Sequence, residues 1–249
     1  MINSPDAVLA FRDVGLRYPN GTVALDGVDL TVARGEFVSL IGPSGCGKST
    51  LLRLAGGLET ATAGEVSSDP THVGFVFQEA TLLPWRSVRR NVSLFAELDG
   101  MPRTRIDAAV DRALDVVGLR GVEKSKPYQL SGGMAMRVSL ARSLVTDPGL
   151  FLFDEPFGAL DEFTRERLND EVQRMFVSSG FAGVFVTHSI AEAVFMGSRV
   201  VVMGARPGRI VREFEVPFDF PRTPELRYSD EFAALCRDIS LALGEVMHG

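Results

Sequence analysis

The segment FVSLIGPSGCGKST, residues 37–50, contains the pattern that decides the fold. It consists of a short apolar run, Phe37–Ile41, then a glycine-rich loop, then a helical pattern of apolar residues that starts at Leu51. The loop fits G-x-x-x-x-G-K-[ST], and this phosphate-binding motif requires a strand before it and a helix after it. The segment therefore predicts a nucleotide-binding α/β domain.

The residue types in this loop have a chemical reason. Glycines let backbone N–H groups turn towards phosphate oxygens, and the N-terminus of the next helix adds a partial positive charge. We predict that Lys48 contacts the β- and γ-phosphates of ATP and that the Ser49 hydroxyl ligates Mg²⁺. Cys46 is interpreted as a small residue that fits the loop, with a redox role as the alternative. The predicted ATP-binding residues of the loop are Gly42, Pro43, Ser44, Gly45, Cys46, Gly47, Lys48, Ser49 and Thr50.

Short apolar runs alternate with helical patterns along the rest of the chain, which is typical of an α/β fold with a mostly parallel sheet. The runs before Asp154 and His188 are continuously apolar, as in strands that are covered on both faces. The first two runs and the region of Val66 alternate between polar and apolar residues, which predicts a smaller antiparallel layer. The predicted strands are Val8–Val14, Val23–Val32, Phe37–Ile41, Val73–Phe77, Leu150–Phe153, Val184–Thr187, Arg199–Met203 and Ile210–Phe214.

Residues 87–145 show no convincing strand, and their apolar residues recur at helical spacing. We predict that this stretch is an α-helical subdomain inserted into the α/β core. The tail, from about 217 to 249, is expected to lie at the periphery and to contain a helix over Glu231–Met247. Together, residues 1–249 are predicted to form a single domain of the P-loop NTPase (RecA-like) class.

Composition and charge exclude several classes of protein. The chain has 26 basic and 32 acidic residues, and its net charge of −6 argues against a surface built for nucleic acid. Two cysteines, Cys46 and Cys236, are too few for a disulfide scaffold, which favours a reducing compartment. No signal-peptide pattern opens the sequence, and no apolar run approaches the ~20 residues of a membrane-spanning helix. We therefore expect neither a secreted nor a membrane-embedded protein.

Two carboxylates follow the apolar run Leu150–Phe153. Asp154 and Glu155 would lie at the carboxyl end of a buried strand, where open α/β sheets bind ligands. A buried carboxylate pair without cations would be costly, whereas Mg²⁺ and an attacking water would give both groups a task. We predict that Asp154 interacts with the metal and that Glu155 orients and deprotonates the hydrolytic water.

Two further motifs resemble those of the ATP-binding cassette (ABC) ATPases. LSGG at 130–133 is similar to the signature sequence of that family, and GALD at 158–161 is similar to its D-loop. The resemblance implies that two cassettes pair and that each completes the ATP site of the other. In that arrangement Ser131, Gly132 and Gly133 contact the γ-phosphate bound to the partner, and Asp161 lies at the dimer seam.

Three single residues also occupy positions that resemble the ABC pattern, which covers the chain from about Tyr18 to Gly208. Tyr18 lies thirty residues before Lys48, like the family's adenine-stacking aromatic, although alone it would be interpreted as a half-buried strand tyrosine. Gln78 resembles the Q-loop glutamine, which contacts Mg²⁺ or the attacking water. His188 resembles the switch histidine, which contacts the γ-phosphate, although alone it would be an ordinary strand-end histidine.

One position departs from the family pattern. The signature usually continues with glutamine, where this chain has Met134. A thioether cannot replace the hydrogen bonds of an amide, so any direct polar contact from this side chain is lost. Because Ser131 and the backbone donors remain, we expect activity to survive with altered affinity or coupling.

Residues 78–92 and 155–165 resemble one importer branch, which transports nitrate, taurine or aliphatic sulfonates. In the family a short permease helix docks just after the Q-loop, and an amphipathic helix in an apolar groove is a common mode of recognition. The resemblance therefore implies that Leu83, Pro84 and Trp85 contact the permease. The alternative is that Trp85 only anchors the helical subdomain.

The resemblance implies an ATP-hydrolysing, energy-coupling subunit of an ABC import complex for a small organic anion, such as nitrate, a sulfonate or taurine, or for a related solute. Implied partners are integral membrane permease subunits, a second identical ATPase subunit and, indirectly, an external solute-binding protein, with no nucleic acid. Such a subunit is peripheral, on the cytoplasmic face of the inner membrane, and uses ATP and Mg²⁺. A soluble ABC ATPase acting on ribosomes or DNA is the alternative, but such chains usually carry two cassettes or long coiled-coil insertions. A small-molecule P-loop kinase would not explain the signature, the D-loop or His188.

Overall fold

The computed structural model describes residues 7–68, 72–205 and 207–248. Residues 1–6 and 249 of the predicted domain lie outside the described residues. The strands are β1 (Ala7–Arg17), β2 (Val23–Ala33), β3 (Phe37–Ile41), β4 (Ala63–Ser68), β5 (Val73–Val76), β6 (Leu150–Asp154), β7 (Ala182–Val186), β8 (Arg199–Gly204) and β9 (Arg209–Glu215). The helices are α1 (Lys48–Ala55), α2 (Val88–Val92), α3 (Leu94–Leu98), α4 (Arg103–Val116), α5 (Gly132–Leu144), α6 (Glu162–Ser179), α7 (Ile190–Met196) and α8 (Asp230–His248), with 3₁₀ turns at Pro127–Gln129 and Pro224–Tyr228.

Two sheets form the α/β core. The larger sheet has the order β5-β6-β7-β3-β8-β9, in which only the edge strand β9 runs antiparallel to its neighbour. Its inner strands β3 and β7 are buried along their whole length, which is why their sequences are apolar except for Ser39 in β3. The smaller sheet is antiparallel, with the order β2-β1-β4. Both layers agree with the sequence, and the predicted α/β class is confirmed; strand ends differ from prediction by at most three residues.

The faces of the larger sheet pack against different layers. Side chains of one face, such as Phe37 and Phe153, join the helices in one hydrophobic cluster. Side chains of the other face, such as Val38 and Leu152, join α1 and the antiparallel sheet in a second cluster. Because β3, β6 and β7 are adjacent and parallel, the loops that follow them meet at one edge of the sheet. This edge holds the candidate functional site.

Helices α2 to α5 span residues 88–144, and this fully described part of the chain contains no strand. They bury Val88, Val92 and Ala96 against the core cluster. The predicted helical character of residues 87–145 is therefore correct, while the description of the chain as one domain stays a prediction. Within the described residues, no helix combines the length and apolar character that crossing a bilayer requires.

The tail is anchored to the core by one buried arginine. Arg222 is 6% exposed, and its guanidinium donates to the carbonyls of Val194, Phe195 and Gly197 at 2.7–2.9 Å. These carbonyls lie at the end of α7, where a helix leaves its last C=O groups without partners inside the helix. A single arginine has no periodic pattern, so the sequence does not reveal this contact.

Candidate ATP-binding and hydrolysis site

Two glycines shape the phosphate loop between β3 and α1. Gly45 and Gly47 have φ values of +76° and +97°, which glycine adopts without steric cost. A Cβ on Gly47 would lie 2.7 Å from Leu25 Cδ2 and 3.0 Å from the Ala24 carbonyl oxygen. The loop therefore packs directly on the beginning of β2. Its N–H groups and the N-terminus of α1 together form a region that favours anions.

Lys48 lies inside this loop. Its Nζ donates to the carbonyls of Gly42 at 2.8 Å and Pro43 at 3.2 Å, and the residue is 6% exposed. Cys46 is fully buried behind it, and burial raises the pKa of its thiol. A buried neutral thiol agrees with the interpretation of Cys46 as a packing residue, because reactive cysteines are exposed thiolates.

One cavity of about 680 Å³ is lined by seven of the ten predicted ATP-binding residues, and those that do not line it are Gly42, Pro43 and Cys46. Tyr18, Lys48, Thr50 and Glu155 line it, and Tyr18 Oη lies 3.3 Å from Thr50 Oγ1. Its volume is in the usual range for small-molecule sites, roughly 300–1,000 Å³. Four further lining residues have no sequence signal for this role: Thr22, Val23, Ala24 and Pro207.

A hydrogen bond joins the phosphate loop to β6. Ser49 Oγ donates to Asp154 Oδ1 over 2.8 Å. Burial raises the pKa of Asp154, and the Ser49 hydroxyl acts in the opposite direction. A cation beside this carboxylate would offset the cost of its burial. Hydroxyl and carboxylate oxygens also suit Mg²⁺, which takes only one or two protein ligands when phosphates supply the others. The donor set therefore fits the predicted metal.

Glu155 has an unusual backbone conformation. Its φ is +47°, which costs a side chain of this type on the order of 1–3 kcal/mol and is concentrated at functional sites. Its N–H donates to the Val186 carbonyl at 3.0 Å, which holds the bend against β7. Its carboxylate Oε2 lies 3.7 Å from His188 Nδ1, and the residue lines the cavity.

The three residues predicted to act in catalysis meet around Gly158. A Cβ built there would lie 3.5 Å from His188 Cε1, 3.7 Å from Gln78 Nε2 and 3.5 Å from the Glu155 carbonyl oxygen. Gln78 itself lies on an exposed bend just after β5. The loops that follow β5, β6 and β7 thus bring all three side chains to one place.

The signature segment does not reach the cavity of its own chain. Ser131 is the N-cap of α5, where its Oγ accepts a hydrogen bond from the Met134 N–H at 3.3 Å. The Met134 side chain is partly buried against the core, so the departure from the family pattern has a packing role here. Neither Ser131 nor the two glycines after it line the cavity.

The signature glycines instead allow close packing with the D-loop region. A Cβ on Gly133 would lie 2.7 Å from Thr164 Cγ2, and one on Gly132 would lie 3.5 Å from Leu160 Cδ2. Asp161 is the N-cap of α6 and accepts a hydrogen bond from the Thr164 N–H at 3.0 Å, which lowers the pKa of Asp161.

Trp85 is 70% exposed, so its ring does not anchor the helical insertion. It lines a second cavity, of about 770 Å³, together with Arg86 and Arg90. Its carbonyl accepts a hydrogen bond from Lys126 Nζ at 2.6 Å. The buried side chain of Asn91 fixes the neighbouring backbone. Its Oδ1 accepts a hydrogen bond from the Leu83 N–H at 2.8 Å, and its Nδ2 donates to the Leu83 carbonyl at 3.2 Å. Pro84, between Leu83 and Trp85, is exposed.

The sequence and the fold are both similar to known proteins. The ABC transporter family matches residues 25–158. The taurine import ATP-binding protein TauB of Roseobacter denitrificans is 42% identical over 221 residues, which cover 84% of this chain and 82% of that protein. The aliphatic sulfonates import ATP-binding protein SsuB of Bacillus licheniformis is 42% identical over 209 residues, which cover 81% of each.

A solved structure agrees with these relatives. The ATP-binding cassette MJ0796, in a dimeric post-hydrolysis state bound to ADP and Pi, has a TM-score of 0.75 and 32% identity, covering 85% of this chain and 100% of that one. The family match spans more than half of the chain, and the relatives span over four fifths of it. The chain therefore belongs to the ABC transporter family, as one of its ATP-hydrolysing ATP-binding subunits.

Proposed function

We propose that two copies of this chain hydrolyse ATP at shared sites and thereby drive import of a small organic sulfonate through a membrane permease. The chain is the energy-coupling ATPase of an ABC import complex, as are its relatives. The observation that carries the proposed mechanism is the meeting of Gln78, Glu155 and His188 around Gly158, beside the cavity that Lys48 lines.

Each residue at this edge of the sheet has a task in the proposed reaction. Tyr18 stacks on the adenine, Lys48 neutralises the phosphates, and Ser49 with Asp154 and Gln78 holds Mg²⁺. The ion supplies charge neutralisation on the phosphates when bound. Glu155 orients the attacking water and accepts its proton, as a general base does. His188, 3.7 Å from Glu155 Oε2, contacts the γ-phosphate.

Two copies are needed because the signature and the phosphate loop lie apart within one chain. The N-cap Ser131 and the first N–H groups of α5 form a second region that favours anions. In a two-fold pair it would close over the γ-phosphate held by the partner's Lys48, with Asp161 at the seam. The dimeric cassette MJ0796 supports this arrangement.

The permease is proposed to contact the segment Leu83, Pro84 and Trp85, of which Pro84 and Trp85 are exposed and Leu83 is half-buried. An exposed tryptophan at the edge of a cavity of about 770 Å³ suits an inserted helix. This contact would hold the subunit peripherally at the cytoplasmic face of the inner membrane. An external solute-binding protein would act on the opposite side of the membrane and would not touch this chain.

The solute is proposed from the relatives, because the cassette itself does not contact it. Taurine and aliphatic sulfonates share a sulfonate group, and the import proteins named for them are 42% identical to this chain. Nitrate, which the sequence resemblance also implies, is not the solute named for either relative.

The complex can be tested by purifying tagged Glu155→Gln protein with ATP from detergent-solubilised native membranes and identifying its partners by mass spectrometry. We expect a multi-span permease in stoichiometric amount, because the ATP-locked dimer should hold its membrane partner. Vesicles containing the wild-type subunit, that permease and the solute-binding protein should then accumulate taurine or an aliphatic sulfonate when ATP is supplied, whereas vesicles with the Glu155→Gln subunit should not. Co-purification of ribosomal or DNA-repair proteins without a membrane protein would contradict the proposal.

A further inference from the structure

The turn between β8 and β9 packs against the phosphate loop from a distant part of the chain. Of this turn, Ala205, Pro207 and Gly208 are described. The Gly208 N–H donates to the Ala24 carbonyl at 3.0 Å, and the Asp26 N–H donates to the Gly208 carbonyl at 3.1 Å. The turn is therefore hydrogen-bonded to the beginning of β2, the same backbone on which the phosphate loop rests.

Gly208 has no room for a side chain. A Cβ at this position would lie 2.1 Å from the Cys46 carbonyl oxygen and 2.9 Å from the Ala24 carbonyl oxygen, and real Cβ atoms essentially never approach closer than 3.0 Å. Its φ lies outside the left-handed region, so the backbone conformation itself would accept alanine. Glycine is required here because a side chain would overlap the backbone of the phosphate loop.

The hairpin also supports the other end of the loop. A Cβ on Gly42 would lie 2.6 Å from the carbonyl oxygen of Met203, near the end of β8. Pro207 lines the same cavity as Lys48 and Tyr18. The β8–β9 hairpin thus backs the phosphate loop at both ends and forms part of the cavity wall, a role that no motif in the sequence indicates.

We propose that Gly208 is a positioning residue of the nucleotide site, which sets the orientation of the Cys46–Gly47 peptide. The peptide unit is planar, so the Cys46 carbonyl and the Gly47 N–H move as one rigid group. Gly47 is the N-cap of α1, and its N–H is one of the loop donors available to phosphate. Restoring a 3.0 Å contact to an added Cβ requires a shift of about 0.9 Å at the Cys46 oxygen. That shift changes the direction of the Gly47 N–H, and therefore its hydrogen bond to a bound phosphate.

This inference rests on the proposed ATP site and adds a residue to it. Displacement of a positioning group by about 1 Å can cost on the order of 100-fold in rate. We therefore expect Gly208→Ala to raise the Kd for MgADP and the KM for MgATP at least about tenfold. The fold of the ligand-free protein should be retained, because the strain falls mainly on the Cys46 carbonyl, while the Ala24 oxygen, at 2.9 Å, lies just inside the limit.

The test compares Gly208→Ala with Gly204→Ala by calorimetric titration of MgADP and by ATPase kinetics, with circular dichroism and ligand-free Tm as folding controls. Gly204 belongs to the same hairpin and also has φ outside the left-handed region, but the tightest contact of an added Cβ would be with a side-chain methyl of Val211 at 3.0 Å, and its nearest backbone atom would be the Arg209 oxygen at 3.9 Å. Gly204→Ala should bind MgADP within about twofold of wild type. An equal Kd for the two variants, or a loss of ligand-free Tm with no change in the MgADP-induced shift, overturns the proposal.

A milder variant covers the case in which Gly208→Ala does not fold. Arg209 forms an ion pair with Asp26 that ties the turn to β2. Arg209→Gln should raise the Kd for MgADP by about twofold to fivefold, the range of an exposed pair, whereas Arg212→Gln on the same strand should leave it unchanged. No difference between these two variants overturns the proposal. If Lys48→Ala binds MgADP as tightly as wild type, the ATP site itself is wrong.

Discussion

Glu155 combines a costly backbone conformation with a carboxylate that faces the cavity. The φ of +47° is held by the N–H contact to the Val186 carbonyl, so the neighbouring strand maintains the strain. Asp154, one residue earlier, has ordinary φ and bonds the Ser49 hydroxyl instead. The two consecutive carboxylates thus lie in different surroundings: Asp154 lies beside the Ser49 hydroxyl, at the predicted metal position, and Glu155 lies beside His188.

The first prediction concerns the proton acceptor. Glu155→Gln should keep ATP affinity within about threefold of wild type, while kcat falls by roughly 10²–10⁴-fold, because an amide keeps the shape but cannot accept the proton. Calorimetric titration and phosphate release measure the two quantities. Glu162→Gln, at an exposed position beyond the D-loop, is the matched control. Turnover near the wild-type rate would refute the assignment of Glu155 as the base.

A second carboxyl group is buried next to the switch histidine. Glu192 accepts a hydrogen bond from the Thr187 hydroxyl, and its other carboxylate oxygen, Oε1, is shielded from solvent. Burial raises the pKa of Glu192, which the Thr187 hydroxyl counteracts only in part. Folded protein therefore holds this proton more strongly than unfolded protein does.

This raised pKa gives a pH-dependent prediction. At a pH between 4.5, the ordinary pKa of this carboxyl group, and the higher pKa of Glu192 in the folded protein, the folded state binds more protons than the unfolded state. The contribution of Glu192 to the free energy of unfolding therefore falls as the pH rises through this range, and it is constant above the folded pKa. Glu192→Gln removes this effect. Its stability relative to wild type should therefore increase as the pH rises from about 4.5 through the folded pKa of Glu192, and the difference should be constant above it. Urea unfolding of both proteins across this range measures it, with the exposed Glu231→Gln as control; a pH-independent difference would contradict the prediction.

At the scale of elements, α5 connects the signature to the Q-loop. Its buried Arg142 donates to the carbonyls of Ala80 and Thr81, both at 3.0 Å, just after Gln78. Its N-terminus packs on α6 through Gly133. One helix therefore joins the segment that is proposed to face a partner cassette to the segment next to the predicted permease contact.

The tail and α7 form a second connection between elements. Arg222 satisfies three carbonyls at the end of α7, and its burial lowers its pKa to about 10. Arg222→Met should lower the free energy of unfolding by about 2–4 kcal/mol, because buried carbonyls lose their donors. Chemical unfolding measures this, and Arg212→Met, at an exposed position, should change stability by under about 0.5 kcal/mol. Equal stability of both variants would show that the tail does not support α7.

In the whole molecule, the signature segment lies apart from the nucleotide cavity of the same chain. Residues that line the cavity come from both sheets and from the phosphate loop, but none comes from α5. A single chain therefore carries a nucleotide cavity without a signature segment and a signature segment without a cavity. Phosphates of ATP held by one copy would give the N-terminus of α5 in the other copy an anion to bind, so we expect ATP to draw the two faces together.

Dimerisation should therefore depend on ATP and on Ser131. Glu155→Gln protein should be monomeric alone and dimeric with MgATP in analytical ultracentrifugation. Adding Ser131→Arg should abolish the dimer, because a bulky side chain would occupy the γ-phosphate position. Ser229 is a matched control, since its Oγ also accepts from the N–H three residues on, at 3.2 Å, but at the start of α8. A dimer that survives Ser131→Arg would exclude the composite site.

The sequence alone determined the phosphate loop, the strands that surround it and the carboxylate pair, because each reflects a local requirement of backbone or burial. Glycines are needed where φ is positive, as at Gly45 and Gly47, and continuous apolar runs are needed where both faces of a strand are covered. The places of Gln78 and His188 needed a resemblance as well, since a single polar residue after a strand has no pattern of its own.

Only the tertiary structure decided which distant segments support that site. Gly208 faces the Cys46 carbonyl, Arg222 caps α7, and Arg142 holds the Q-loop. Each contact joins segments far apart in the chain through one side chain or one missing side chain. Local periodicity describes only the neighbours of a residue in its own helix or strand. Contacts between loops depend on how the sheets and helices pack, so they become visible only once the chain is folded.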